Sequence, residues 1–342
     1  MAERVGVMDR VVTVVVPTHN RLGLLRRTLA SVLAQRDVEV RVVVVDDGSE
    51  DGTAEAIARA ADDRVQVLRN DPSIGVARAR NRGLEEVRSG WVAFLDDDDL
   101  WAPDKLASQV AAAEAVPGAR WVCAGAVTVD EDLRVLAAMH PPPSGPLPAV
   151  LTKNRIPGGA SGTLVRTELA RSVGGFDPGL SNIADWEFWI KLALESPVAS
   201  VDRPLTAYLR HTATLSGDPT GVHEEFERIR QRYEEARRAN GVPASSKSFE
   251  WFARRQVRAG KRAAGARTYL TIARQYRDRP QAWALAVVAA TAPGALVQRW
   301  DRQARRPLLP AWTAEAETWL APLRSFPLDD PLDGPLEGSL DG

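Results

Sequence analysis

Four short apolar runs open the chain, and a polar loop and a helix-periodic segment follow each of the first three. Residues 11–16 are five valines and a threonine, ended by Pro17. Continuous β-branched residues of this kind suit a strand covered on both faces. Leu22, Leu25, Leu29, Val32 and Leu33 then recur at helical spacing. Residues 42–45 predict a second strand, an acidic turn-rich loop over 46–53 and a short helix over 54–61. Residues 65–68 predict a third strand, followed by a helix over 75–87 that carries Arg78, Arg80 and Arg82. The fourth run, 91–95, delivers Asp96, Asp97, Asp98 and Asp99 to one spot. This alternation predicts a doubly wound, mostly parallel α/β sheet with its ligand at the carboxyl ends of the strands.

Beyond the fourth strand, the pattern predicts a helix over 103–116 with Pro103 at its start, and a strand over 121–129. A Pro-rich loop covers 139–149. A Gly-rich segment, 158–162, leads into a strand over 163–165, and a short helix over 168–173 ends at Gly174-Gly175. Trp186, Trp189, Ile190, Ala193 and Leu194 form a helical stripe, and 198–201 and 205–209 read as closing strands. After about residue 217 the character changes to helices, expected over 222–240, 249–260, 264–276 and 282–296. The acidic Pro/Gly-rich end, 329–342, repeats P/S-L-D/E-G and is expected to be disordered. The expected organisation is a sheet domain over 1–215, a helical appendage over 216–325 and a tail over 326–342.

Composition narrows the classes. The 342 residues carry a formal net charge of −1, so no global field favours nucleic acid or an acidic membrane. The single cysteine, Cys123, rules out a disulfide framework or a cysteine zinc site and reads as a small core residue. The N-terminus lacks an apolar signal core, and no run reaches the roughly 18 residues of a spanning helix. The apolar stretch 283–297 is broken by Pro293-Gly294. It reads as a buried helix hairpin, the alternative being peripheral membrane contact. A cytoplasmic location is expected, with no nucleic-acid partner.

The chemistry gathers at the aspartates. Four adjacent carboxylates repel one another unless a cation or solvent screens them. In an extended segment, Asp96 and Asp98 point one way and Asp97 and Asp99 the other. Two carboxylates on one side suit a hard divalent ion that also carries substrate phosphates. The alternative is a solvated acidic turn ahead of the helix at Pro103. No G-x-G-x-x-G follows the first strand and no G-x-x-x-x-G-K-[ST] occurs, so phosphate has to be held another way. Asp185 sits at or near a helix start, where simple N-capping is the alternative to chemistry. His19 reads as a turn residue.

Taken in order, VVVPTHN (14–20), VVVDDGSEDGT (43–53), GVARARNRG (75–83), FLDDDDLW with PDKL (94–106), GGFD (174–177) and DWEFWIKL (185–192) resemble the family-two glycosyltransferases of the GT-A fold. The resemblance covers about 11–211 and leaves the C-terminal third unexplained. It implies an inverting, metal-dependent transferase that moves a sugar from a nucleotide-diphosphate donor, a UDP-sugar foremost, to an acceptor hydroxyl. It places Pro17, Thr18, Asn20, Arg21, Asp47, Gly75, Arg80, Asp96 and Asp97 at the donor, with Asp47 on the base and Arg80 near the diphosphate. Asp98 and Asp96 would hold Mg²⁺ or Mn²⁺, with His211 as a further metal or diphosphate contact or simply an exposed strand-end residue. Asp99 is expected to turn toward the helix at Pro103. Asp185 matches the general base; the preceding family Glu is replaced by Ala184. Inversion requires one carboxylate to take the acceptor's proton and needs no protein nucleophile. Two rival readings are a sugar-nucleotide-binding scaffold and a nucleotidyltransferase, the latter lacking its Gly-rich loop. The donor sugar, the acceptor and the oligomeric state are left open.

Overall fold

Buried valines build the first strands, and the strands build the site. The computed structural model describes residues 11–60, 62–210, 219–276, 279–304 and 310–326. Strands β1 (Val11–Thr18), β2 (Glu39–Asp47), β3 (Val65–Asn70) and β4 (Trp91–Phe94) are parallel neighbours in the order β3-β2-β1-β4. Helices α1 (Leu22–Leu33), α2 (Thr53–Arg59) and α3 (Val76–Glu86) connect them. This is the expected alternation, and it brings the loops after β1, β2 and β4 to one edge.

The sheet then becomes mixed. β4 continues through β8 (Thr163–Arg166), β6 (Trp121–Val129) and β9 (Val198–Leu209) to the two-residue β5 (Leu100–Trp101), while β7 (Val135–Met139) lies beside β6. β8 runs antiparallel to β4 and β6, whereas β9 runs parallel to β6. The two closing strands expected over 198–209 are one strand, whose register with β6 shifts around Gly125. β5 and β7 were not expected. β5 owes its strand form to a distant partner, β9, and β7 to the neighbouring β6, more than either does to its own pattern.

Helix α4 (Lys105–Ala115) packs on the sheet; α5 (Thr167–Ser172) and α6 (Ala184–Glu195) follow β8. Cys123 is buried in β6, and burial pushes its thiol up to about 12, so it stays protonated. Helix α3 lies close against β1 and β2 because Gly83 has no side chain. A Cβ there would sit 2.3 Å from Val15 Cγ1 and 3.2 Å from Val45 Cγ2.

The chain divides into two compact units. One comprises Met1–Leu147, Arg155–Thr212 and Leu308–Gly342; the other, Pro148–Asn154 and Ala213–Pro307. The sheet unit therefore includes the last described helix, Pro310–Arg324, which the sequence pattern groups with the other C-terminal helices. Its Ala316, Leu320 and Leu323 join Leu205, Ala207 and Leu209 of β9 in one apolar cluster. Trp319 Nε1 donates to the Pro204 carbonyl at 3.1 Å, and Arg203 pairs with both Asp104 and Glu315.

The second unit is helical: α7 (Pro219–Arg232), α8 (Glu234–Ala239), α9 (Lys247–Arg258), α10 (Arg262–Gln275), α11 (Ala282–Thr291) and α12 (Pro293–Ala304). The single helix expected over 222–240 is interrupted at Tyr233. That expected over 282–296 breaks at Ala292, and Pro293 opens the next helix. Phe226, Phe249 and Phe252 form its aromatic core, and Glu250 pairs with Arg254 and Arg279. Residues 327–342, most of the expected tail, lie outside the described residues. Among those described, no helix is long and apolar enough to cross a membrane.

Substitution Gly83→Ala is expected to destabilise the protein by about 1–3 kcal/mol through overpacking against Val15. Gly294→Ala, with nothing within 4 Å of the new methyl, is expected to be close to neutral. Urea unfolding of the two variants against the parent measures the difference.

Candidate active site

The three loops at the sheet edge are tied to one another before any ligand arrives. Asn20, in the left-handed region at φ 54°, binds the loop after β2. Its Oδ1 accepts from the Glu50 N–H at 2.7 Å, and its own N–H donates to Ser49 Oγ at 2.9 Å. His19 Nδ1 lies 2.8 Å from the Asp47 carbonyl, which is a turn contact. Pro17 pairs in register with Val45, and Thr18 with Asp46, so both stand level with the start of that loop.

Asp47 organises the loop after β3. Its Oδ1 accepts from Asn70 Nδ2 (2.7 Å) and the Ile74 N–H (2.9 Å); its Oδ2 accepts from Ser73 Oγ (2.6 Å) and the Gly75 N–H (2.8 Å). Burial pushes this carboxyl up, but the four hydrogen bonds outweigh burial and leave it below the ordinary carboxylate range. All four acceptor positions are filled by the chain itself. A base N–H reaching Asp47 has to displace one of these donors or share its lone pair.

The aspartate run is a turn, not an extended segment. The Asp99 N–H donates to the Asp96 carbonyl at 3.1 Å, and the Thr28 hydroxyl reaches the carbonyls of Asp97 (3.0 Å) and Asp99 (2.9 Å). The expected alternation of side chains is therefore lost. Asp97 and Asp98 both meet Arg21, at 3.1 and 2.8 Å. Thr18 Oγ1 donates to the other oxygen of Asp97 at 2.8 Å. Asp96 instead pairs with Arg80, whose guanidinium lies 5.2 Å from the Phe176 ring centre. Asp99 does not turn toward the helix at Pro103. It is fully buried and accepts from Ser161 Oγ (2.5 Å) and the Leu209 N–H (3.1 Å).

Two arginines face four carboxylates. Burial and the neighbouring Asp98 push Asp97 up to about 6, against the opposing pull of Arg21. Burial, with Asp98 and Asp96 beside it, raises Asp99 well above its ordinary value. Burial works to lower Arg21, but Asp97 and Asp98 prevail and hold its pKa up.

A 3₁₀ turn, Gly159–Gly162, joins this cluster to Asp185. Ser161 Oγ accepts from the Asp96 N–H at 3.1 Å and donates to Asp99. Two positions earlier in the same turn, a Cβ on Gly159 would lie 3.5 Å from Asp185 Oδ2. The turn is braced from the core by Trp101 Nε1, which donates to the Ser161 carbonyl, and Gln109 Nε2, which donates to that of Gly162. Lys105 is turned inward, with Nζ donating to Gln109 at 2.8 Å and lying 3.8 Å from the Trp101 ring centre. Burial pulls its pKa well down.

Asp185 lies in the first turn of α6, whose N-cap is Ile183, so it is not the cap. Its Oδ1 accepts from the Trp186 N–H at 2.7 Å. Helix α6 is set by an aromatic cluster: Phe94, just before the aspartates, packs on Phe176 and Phe188 at 4.8 and 5.9 Å. Asn81 clamps Phe176 through both backbone groups, and Lys191 donates to the Gly175 carbonyl at 2.6 Å. Thus the GVARARNRG, FLDDDD, GGFD and DWEF motifs interlock. Tyr208 stands among the charges: burial raises its hydroxyl's pKa, and Asp99, Asp96, Asp98 and Asp185 raise it further, so it stays protonated.

The sequence-derived positions Pro17, Thr18, Asn20, Arg21, Asp47, Gly75, Arg80 and Asp96–Asp98 thus gather at the loops of one sheet edge, with Asp185 across the 3₁₀ turn. His211 lies outside the described residues. Ser161, Thr28 and Tyr208 were missed. Only the Gly-rich context of Ser161 hinted at a turn, and Tyr208 reads as an ordinary strand residue. Among the described residues, no group of three or more His, Cys, Asp or Glu side chains is arranged to hold a metal ion.

Comparison with known proteins agrees with this fold. The profile of Glycosyl transferase family 2 matches residues 13–162. An uncharacterized glycosyltransferase of Haemophilus influenzae is 27% identical over 227 residues, spanning 65% of this chain and 76% of the relative. An uncharacterized protein of Mycobacterium tuberculosis is 31% identical over 217 residues, spanning 59% of this chain and 67% of the relative. The crystal structure of Staphylococcus aureus TarS 1–349 in complex with UDP-GlcNAc superposes with a TM-score of 0.54 at 16% identity, over 91% of each chain. That last likeness is one of fold. The chain belongs to glycosyl transferase family 2, GT-A enzymes that transfer a sugar from a nucleotide-sugar donor.

Asp47→Asn is expected to cost about 1–3 kcal/mol at neutral pH, because donors of the 70–75 loop lose their acceptor. A carboxyl whose folded pKa is depressed stabilises above its unfolded value, about 3.9, and loses that contribution as pH falls through the folded value. The stability gap between parent and Asp47→Asn should therefore close below about pH 4. Urea midpoints against pH measure it.

Proposed function

We propose that the chain binds a UDP-sugar over the Asp96–Asp99 turn and transfers the sugar, with inversion, to an acceptor hydroxyl deprotonated by Asp185. The observation that carries this reading is the 3₁₀ turn Gly159–Gly162, which holds Asp96 and Asp99 through Ser161 and sets Gly159 against Asp185, where a Cβ would lie 3.5 Å from Oδ2. On this reading the donor-side acids and the base stand on two sides of one short segment. UDP is the favoured nucleotide because TarS, which shares the fold, is known in complex with UDP-GlcNAc.

Asp98 and Asp96 would hold Mg²⁺ or Mn²⁺, with His211 as a further ligand candidate. The residues fit such an ion in two respects. Their charge is in excess, four carboxylates against two guanidiniums, and the atoms that Asp96 and Asp98 offer are hard carboxylate oxygens. Mg²⁺ is commonly held by one or two carboxylates together with substrate phosphates, so a larger protein cluster is not required. When bound, the ion would neutralise charge on the departing diphosphate.

The protein's own groups do the rest. Arg80, fixed between Asp96 and Phe176, is placed to meet the diphosphate, and Arg21 sits beside Asp97 and Asp98. Thr18, Asn20, Pro17 and Gly75 shape the nucleotide side, and Asp47 holds the 70–75 loop there. Asp185, whose Oδ1 accepts from the Trp186 N–H and whose Oδ2 lies toward Gly159, would take the acceptor's proton. The acceptor oxygen forms a bond to the anomeric carbon as the diphosphate leaves with the bonding pair, through an oxocarbenium-like transition state.

Asp185→Asn is expected to lower kcat about 10²–10⁴-fold while sparing donor affinity. Asp98→Ala is expected to abolish the stimulation of UDP release by Mn²⁺ or Mg²⁺. Transfer surviving in Asp185→Asn would refute the base assignment. Nucleotide binding without turnover on any donor would instead support a sugar-nucleotide-binding scaffold.

A further inference from the structure

The net charge of −1 conceals a strong segregation. Residues 247–304, which span α9 to α12, carry twelve Lys and Arg against three Asp and Glu, so this segment has a surplus of nine positive charges and the rest of the chain a surplus of ten negative ones. Arg258, Lys261, Arg262, Arg267, Arg274 and Arg299 are exposed. The segment's one described glutamate, Glu250, is already shared between Arg254 and Arg279.

Within this basic unit lies a helix with two apolar faces. Helix α11 buries the small residues Ala282, Ala286 and Ala289. Its opposite face presents Trp283, Ala284, Val287, Ala290 and Thr291 to solvent, at positions that share one side of a helix. Trp283 is 51% exposed and Val287 62% exposed. The Thr291 hydroxyl donates back to the Val287 carbonyl at 2.9 Å, so burying this face strands no hydroxyl proton. No ionisable side chain occurs from Pro280 to Gln298. The guanidinium of Arg274, on the neighbouring α10, lies 6.0 Å from the Trp283 ring centre.

We propose that this face of α11 docks the protein on an anionic phospholipid surface. Trp283 and Val287 enter the headgroup–acyl boundary, and the surrounding arginines and lysines meet the lipid phosphates. Charge complementarity selects an anionic surface. The uncharged face selects lipid over nucleic acid, which needs cations at the contact itself. The geometry excludes spanning: ten helical residues reach only about 15 Å, half of a hydrocarbon core.

Flotation of the full chain with vesicles tests it. Vesicles containing phosphatidylglycerol should carry the protein and vesicles of phosphatidylcholine alone should not, with binding weakened by salt. Trp283→Ser with Val287→Ser should lower the bound fraction about tenfold. Lys261→Glu with Arg262→Glu should lower it by removing cations, and both variants should keep donor turnover. Equal binding to the two vesicle types, or full binding by the serine variant, would overturn the proposal. So would a chain that ignores vesicles but binds RNA regardless of the serine substitutions.

Discussion

Everything at the sheet edge answers one electrostatic problem. Four successive carboxylates end a buried strand, where like charges cannot all remain ionised without help. Arg21 and Arg80 supply two counter-charges, and Thr18, Ser161 and the Leu209 N–H supply hydrogen bonds. What remains is still over-negative, and Asp97 and Asp99 are pushed toward their protonated forms. A site in this condition is disposed to accept a cation and the phosphates that accompany it. The neighbours that restrain the acids are, on the proposed reading, the residues that would meet the donor.

The same restraint links the aspartate turn to Asp185. Ser161 binds the aspartate turn; Gly159, two residues away, stands before Asp185. The aromatic contacts of Phe94 with Phe176 and Phe188 repeat that link through the core. Asn81 and Lys191 add a hydrogen-bonded route through Gly175 and Phe176. Motifs that lie about a hundred residues apart in the chain therefore form one interlocked assembly around the aspartate turn and Asp185.

Much of this was legible in the sequence, for physical reasons. Runs of buried valine could only be strands covered on both faces, and polar loops at their ends marked the ligand edge. The register of the aspartates was not legible. Alternation presumes an extended chain, and the hydrogen bond from Asp99 to Asp96 that bends it is sustained by Thr28 some seventy residues earlier. Ser161 and Tyr208 were invisible for the same reason, since their partners come from distant strands. The helix Pro310–Arg324 falls inside the expected helical appendage, yet its apolar face matches β9. The basic C-terminal segment was hidden by averaging charge over the whole chain.

On the proposed mechanism, one turn serves both halves of the reaction. Ser161→Ala tests it most directly, with UDP affinity measured by calorimetry in the presence of Mn²⁺ and turnover measured at saturating donor. Loss of the hydroxyl should weaken UDP binding, because Asp96 and Asp99 lose their shared anchor, and should also lower turnover, because the turn that faces Asp185 is released. A folded Ser161→Ala protein with unchanged UDP affinity and unchanged turnover would contradict the account.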